Sequence, residues 1–237
     1  MPEGKSLRFI SLIPDPEDAR GSSLSYMVGA AARRFASRTD YVVDGSGVVD
    51  HGVLAAALAD AQAAAEAVLM LGTAFAFMNV MEHSDVCLGP LPQGSRIMET
   101  GGFKGRGRAV PRDELYEAMS RATSVPVERI VNEYGMTELL SQLYEPVLTG
   151  ESLGCGHIAP PWLQVRAVDP TTLRELPEGE AGLLTFFDLA NAGSVAHILT
   201  EDFGAVRDGR VFLEGRAAGA EPRGCSRAMD ELMAVAR

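Results

Sequence analysis

The chain is short of cysteine, short of basic charge and without a long uninterrupted apolar run, and each shortage removes a class of protein. Three cysteines, Cys87, Cys155 and Cys225, stand in 237 residues. They are an odd set with no paired metal-ligand spacing, which argues against a disulfide-stapled extracellular scaffold and for a reducing cytoplasm. Acidic residues outnumber basic ones, 32 against 21, for a formal charge of -11. That balance disfavours a broad polyanion-binding surface, so no nucleic-acid partner is expected, although local basic residues can still hold a phosphate. No charged start followed by an apolar signal core is present, because Pro2 to Lys5 leads into a short strand-like run. The longest apolar passage, Ala65 to Val80, contains Glu66 and Asn79. It is shorter than a comfortable spanning helix, so it reads as buried core and no membrane span is expected. His83, His157 and His197 form no zinc pattern, and no serine-centred hydrolase elbow occurs.

What is there reads as layered α/β structure. Leu7 to Ile13 is a strand candidate closed by Pro14 and Pro16. The alanine-rich stretch His51 to Ala67 predicts a helix capped by Asp50, and Val68 to Leu71 predicts a buried strand ending at Gly72-Thr73. Helix followed by strand suggests α/β layering. Ser95 to Met98 and Arg129 to Asn132 read as further strands, with a helix from Pro111 to about Arg121 between them. Beyond Gly150 the texture changes to short strands at Leu163–Val168, Ala181–Phe187, Ala196–Leu199 and Val211–Leu213, separated by turns such as Arg207 to Gly209. The organisation expected is an α/β portion over residues 1–150, a small β-rich subdomain over 151–225 and a C-terminal helix over 226–237 capped by Ser226.

The most informative run is Asn132 to Glu138, Asn-Glu-Tyr-Gly-Met-Thr-Glu, just beyond a predicted strand, where open α/β sheets tend to bind ligands. A tyrosine ring such as Tyr134 can stack on a purine, Gly135 can bring the main chain close to a ligand, and Thr137 can donate to a phosphate. Glu138 offers hard oxygen ligands suited to magnesium bridging to phosphates. A surface turn that caps a helix at Thr137 uses the same residues, and the spacing alone does not choose between them. Upstream, Gly101 and Gly102 permit close backbone approach or an ordinary strand-to-loop turn, and Lys104 is a candidate for neutralising phosphate charge or for plain solvated surface.

The run resembles the adenine-binding signature of acyl-adenylate-forming enzymes, and from about Phe9 to Ser226 the chain resembles the acyl-protein synthetase family, known as LuxE or long-chain-fatty-acid luciferin-component ligases. The segments that carry the resemblance are Met98 to Arg106 (Met-Glu-Thr-Gly-Gly-Phe-Lys-Gly-Arg), the tyrosine motif, Pro160-Pro-Trp162, Asp188-Leu-Ala-Asn191, Thr200-Glu-Asp-Phe-Gly204, Gly215-Arg216 and Arg223-Gly-Cys-Ser226. The fold it implies is a partial adenylate-forming-enzyme core with a small β-rich subdomain. It implies that Gly101, Gly102, Tyr134, Gly135 and Thr137 bind the nucleotide, that Asp202 grips the ribose hydroxyls and that Arg216 contacts ribose or phosphate. A carboxylate can accept both hydrogen bonds of a diol, which gives Asp202 a physical task. An acidic loop between strands is the bland reading of the same residue. Trp162 is expected to anchor the subdomain, His157 to make a loop hydrogen bond, and Cys87 and Cys155 to serve packing.

The activity the resemblance implies is ATP-dependent activation of a fatty or other carboxylic acid, with Mg2+ held by Glu138 and with Thr137 and Lys104 assisting. Transfer of the acyl group to the Cys225 thiol follows, aided by Arg223 and the start of the final helix. An acyl-accepting or reductase protein is the implied partner. The family's Ser/Thr/Gly-rich phosphate loop is expected upstream of Ser22 to Met27, so the resemblance implies an N-terminally incomplete domain: a truncated reading frame, a domain fragment, or one half of a split enzyme whose partner is a separate N-terminal half. The alternatives are a non-catalytic adenylate-binding or assembly subunit and a fragment of an aryl or phenylacetate coenzyme A ligase.

Overall fold

A computed structural model describes residues 7–83, 86–101 and 110–216. They fall into two compact units that divide between Val131 and Asn132. No helix among the described residues is long and apolar enough to cross a membrane.

The first unit is built on β1 (Leu7–Ser11), α1 (Ser23–Phe35), β2 (Ala36–Tyr41), α2 (His51–Ala63), β3 (Val68–Thr73), α3 (Ala74–His83), β4 (Arg96–Thr100), α4 (Arg112–Thr123) and the start of β5 (Ile130–Tyr134). Strands pair in the order β2-β1-β3-β4, all parallel. Every residue of β1 is buried, as expected for a strand covered on both faces. Its side chains alternate between two cores. Leu7 and Phe9 join Leu24, Val28 and Ala32 of α1, whereas Ile10 joins Leu54 of α2, Phe77 of α3 and Leu115 of α4. Arg8, on the same face as Ile10, is 2% exposed and donates from Nε to Asp40 Oδ2 at 2.6 Å. Asp60 of α2 lies 3.5 Å from its Nη2, and the hydrogen bond to Asp40 holds the guanidinium pKa above its ordinary value.

Local chemistry sets the helix ends. Asp50 caps α2 by accepting from the Val53 amide at 2.9 Å, as the sequence predicts. The helix stops at Ala63 rather than Ala67 because Ala65 turns to φ 48° and the chain must enter β3 at Val68. The Thr73 hydroxyl accepts from the Ala76 amide at 3.1 Å and starts α3 directly after β3, so the apolar passage holds the strand predicted at Val68 to Leu71 and, after it, a helix that the sequence reading did not include. Pro111 sits at the cap of α4, with Asp113 and Glu114 in its first turn where they favour the positive end of the helix.

The second unit holds the end of β5 and then β6 (Leu143–Tyr144), β7 (His157–Ile158), β8 (Leu163–Val168), β9 (Ala181–Asp188), β10 (His197–Arg207) and β11 (Arg210–Arg216). The strands run β5-β6-β7-β11-β10-β9-β8 and every one of these pairs is antiparallel. Leu139, Leu143, Leu163, Leu184, Phe186 and Val211 form the core. A two-residue turn, Asp208 at φ 51° and Gly209 at φ 70°, joins β10 to β11, matching the twist of the strands it connects.

Two irregularities distort β10 and β11. Opposite β9 the register slips between Leu199 and Phe203, so Thr200 to Asp202 bulge out of the ladder. The Thr200 hydroxyl donates to the Leu184 carbonyl at 2.8 Å and accepts from the Asp202 amide at 3.1 Å, replacing ladder bonds across the bulge. On β11, Glu214 is an extra residue between the pairs Gly204–Leu213 and Phe203–Gly215, and Gly215 takes φ 127° to admit it. A Cβ added at Gly204 would collide with the Phe212 carbonyl oxygen. Gly204→Ala is therefore expected to cost about 1–3 kcal/mol, seen as loss of urea resistance in the fluorescence of Trp162, the one tryptophan.

Candidate functional site

The tyrosine motif and the distant acidic motif meet within the second unit. The Tyr134 hydroxyl donates to Asp202 Oδ2 at 2.6 Å across 68 residues of sequence. Its ring stacks on Phe186 with centroids 5.8 Å apart and planes 23° from parallel, and His157 meets it edge-on at 6.5 Å. Arg216 Nε lies 3.2 Å from Asp202 Oδ1, and both side chains stay partly open to solvent, 29% and 23%. Arg216 Nη2 also donates to Glu201 Oε2 at 2.9 Å.

The two bulges explain this arrangement. A hairpin turning at Asp208-Gly209 without an extra residue would set Gly215 opposite Asp202. Glu214 advances β11 by one, so Arg216 becomes the partner of Asp202. The bulge on β10 frees Asp202 from the β9 ladder, and its carboxylate meets the Tyr134 hydroxyl. Asp202 therefore lies in a distorted strand and not in the loop between strands that is the bland sequence reading. Arg216 is the last residue of β11.

The segment from Gly135 to Gln142 links β5 and β6 without regular structure. Thr137 and Glu138 are exposed in a turn, and no helix begins there, so the helix-cap alternative for Thr137 does not hold. The turn closes with the Leu139 amide on the Met136 carbonyl at 3.1 Å, which buries Leu139 beneath it. Gly135 is tight, since a Cβ there would meet Glu133 Oε1 at 2.5 Å.

Three buried polar residues hold this segment, and the sequence assigned them no role. Asn191 Nδ2 donates to the Glu138 carbonyl at 2.7 Å while its Oδ1 accepts from the Leu140 amide at 2.9 Å. Asp188 Oδ1 accepts from the Ser141 hydroxyl and from the Ala190 amide, both at 2.9 Å. Ser141 in turn accepts from the Trp162 indole at 2.9 Å. Trp162 is 50% exposed, so its anchoring is this hydrogen bond and not a buried ring. The signal in the sequence was the run Asp188 to Asn191, whose short polar side chains bracket a turn.

The other candidates are placed as follows. His157 lies in β7, buried, with Nε2 2.7 Å from Asn132 Oδ1, in keeping with the hydrogen-bonding role expected of it. Burial, reinforced by Glu145 and Glu151, pushes the Cys155 thiol up, which disfavours the nucleophilic thiolate. Cys87 is exposed in the first unit. Gly101 follows β4 at φ 67°, a left-handed turn suited to glycine. Glu99 is buried in β4 and accepts from the Tyr116 hydroxyl at 3.1 Å. Gly102, Lys104, Arg106, Arg223, Cys225 and the helix expected from Ser226 lie outside the described residues. Among the described residues no three His, Cys, Asp or Glu side chains gather as a metal site. Glu138 is a single exposed carboxylate, and magnesium accepts so sparse a protein contribution only where phosphates and water complete its shell.

An anchored but accessible carboxylate, an aromatic ring and a guanidinium are the groups that a nucleoside phosphate requires. The family model for acyl-protein synthetase, LuxE, matches residues 2–234. A long-chain-fatty-acid–luciferin-component ligase of Vibrio harveyi is 31% identical over 114 residues, covering 47% of this chain and 29% of the relative. ATP-bound MatB from Rhodopseudomonas palustris shares the fold with a TM-score of 0.61 at 15% identity, over 90% of this chain and 41% of that one. The amide bond synthetase McbA from Marinactinospora thermotolerans gives 0.59 at 16% identity, over 91% and 42%. The fold is thus the α/β fold of adenylate-forming enzymes, and the chain spans less than half the length of these relatives.

Proposed function

Because the chain belongs to the acyl-protein synthetase (LuxE) family, we propose that it takes part in activating a carboxylic acid, of the fatty acyl class, with ATP and in passing the acyl group to a protein thiol. The observation that carries the reading is the hydrogen bond from Tyr134 to Asp202, with Arg216 on the other carboxylate oxygen. Asp202 accepts from the ribose hydroxyls, the Tyr134 ring borders the adenine, and Arg216 supplies positive charge on the ribose and phosphate side. Gly135 gives the nucleotide close backbone approach, and Thr137 donates to a phosphate oxygen. Magnesium held at Glu138 would supply charge neutralisation at the phosphates.

In the first step an oxygen of the substrate carboxylate attacks the α-phosphorus of ATP. The bond to the bridging oxygen breaks, and pyrophosphate leaves with its electrons. Lys104 is assigned to the charge developing there. In the second step the Cys225 thiol gives its proton to solvent and the sulfur attacks the acyl carbonyl carbon; the bond from that carbon to the phosphate oxygen breaks, AMP leaves with its electrons, and a thioester remains. The proposed acceptor beyond Cys225 is an acyl-accepting or reductase protein, and the cytoplasm is the proposed compartment.

Titration with AMP tests the carrying observation. Saturable binding is expected, with a loss of about tenfold in Tyr134→Phe as the Asp202 carboxylate loses a charge-assisted partner. No binding by the unmodified chain would refute the reading. Presenting a preformed, labelled acyl adenylate tests the second step. Label retained on the protein and absent from Cys225→Ser supports thiol transfer. Turnover by free coenzyme A would indicate the coenzyme A ligase class, and AMP binding without any acyl transfer would indicate an adenylate-binding subunit.

A further inference from the structure

We propose that Asn191 is the positioning residue that fixes the Glu138 turn for the phosphate and metal end of the nucleotide, while the nucleoside end is held independently by Tyr134 and Asp202; this rests on the adenylation reading above. Asn191 is 1% exposed, and all its side-chain hydrogen-bonding functions are used on backbone. Besides its bonds to Glu138 and Leu140, Nδ2 donates to the Val195 carbonyl at 3.1 Å. A buried amide that spans 53 and 51 residues of sequence to reach two backbone groups of one turn dictates the path of that turn.

The turn belongs to no ladder, and Thr137 and Glu138 are exposed. The bonds that shape it include Met136–Leu139, the two made by Asn191 and the Ser141–Asp188 contact one residue further on. The nucleoside end has separate anchors, because Tyr134 pairs with Leu143 in the β5–β6 ladder, stacks on Phe186 and bonds Asp202. Losing the Asn191 amide therefore releases the Glu138 carbonyl and the Leu140 amide without touching the Tyr134–Asp202 pair. Catalytic side chains displaced by a fraction of a bond length lose much of their effect, so the consequence falls on phosphate and metal binding alone.

The experiment titrates the chain with adenosine and, separately, with ATP plus magnesium. Asn191→Ala is expected to leave adenosine affinity within about twofold and to weaken magnesium-ATP binding about tenfold, the loss of one buried hydrogen-bonded anchor. Hydrogen exchange at the Leu140 amide should rise in the same variant. Asn191→Asp keeps an acceptor for Leu140 but no donor for the Glu138 carbonyl. It should lose magnesium-ATP affinity while Leu140 stays protected, and it provides the measurement if the alanine variant does not fold. Equal loss of both ligands in these variants would mark Asn191 as merely structural and overturn the proposal, as would unchanged magnesium-ATP binding. An unmodified chain that binds neither ligand refutes the adenylation reading and the proposal with it, whereas adenosine binding with no response at Asn191 refutes the proposal alone.

Discussion

Asp202→Ala is expected to weaken AMP binding by about 2–3 kcal/mol, roughly 30- to 150-fold, because a carboxylate accepting from two ribose hydroxyls is a charge-assisted acceptor. Part of that loss is indirect, since the Tyr134 hydroxyl and Arg216 lose the oxygens they hold. Comparing AMP with its 2′,3′-dideoxy analogue separates the two. The unmodified chain should prefer AMP strongly, whereas Asp202→Ala should bind both nucleotides alike. Asp202→Asn retains an oxygen for Tyr134 and should fall between them. A variant without Asp202 that still prefers the ribose form would show that the diol is held elsewhere.

Asp40→Ala is expected to destabilise the first unit by about 3 kcal/mol, the lower end of the range for stranding a buried charge. Arg8 is nearly inaccessible and its shortest ion pair is with Asp40, while the looser contact with Asp60 remains and limits the damage. Urea unfolding followed by circular dichroism measures the effect. Replacing Arg8 and Asp40 together with methionine and leucine should recover most of the loss, because an apolar pair has no charge left to desolvate. If the single and double variants unfold alike, the buried charge is not the cause.

Four strands of the second unit were legible in the sequence as short apolar runs between turns, whereas the two-residue β6 and β7 offer no such run. Leu163–Val168 was found to the residue, and Ala181–Phe187 missed only Asp188. β10 was cut short at Leu199 because the bulge at Thr200 to Asp202 interrupts its alternation. Helix α3 was hidden because it follows β3 with no intervening loop, and its start depends on one threonine hydroxyl. In the site, the meeting of Tyr134 with Asp202 was expected from resemblance and not from periodicity, since no local pattern connects residues so far apart. The run Asp188 to Asn191 signalled a turn, but not which distant backbone groups Asn191 serves. A buried asparagine and a surface one read alike until the backbone groups it serves are known.

The hairpin tip at Asp208-Gly209 acts as the zero mark of a ruler. Counting outward from it along both arms, one surplus residue, Glu214, decides whether glycine or arginine faces the carboxylate. Because side chains change sides at every step of a strand, the alignment of the two charges is inherited from a corner of backbone that carries none of the chemistry. A length change at that distant corner would rewrite the pair while leaving both of its members in the sequence.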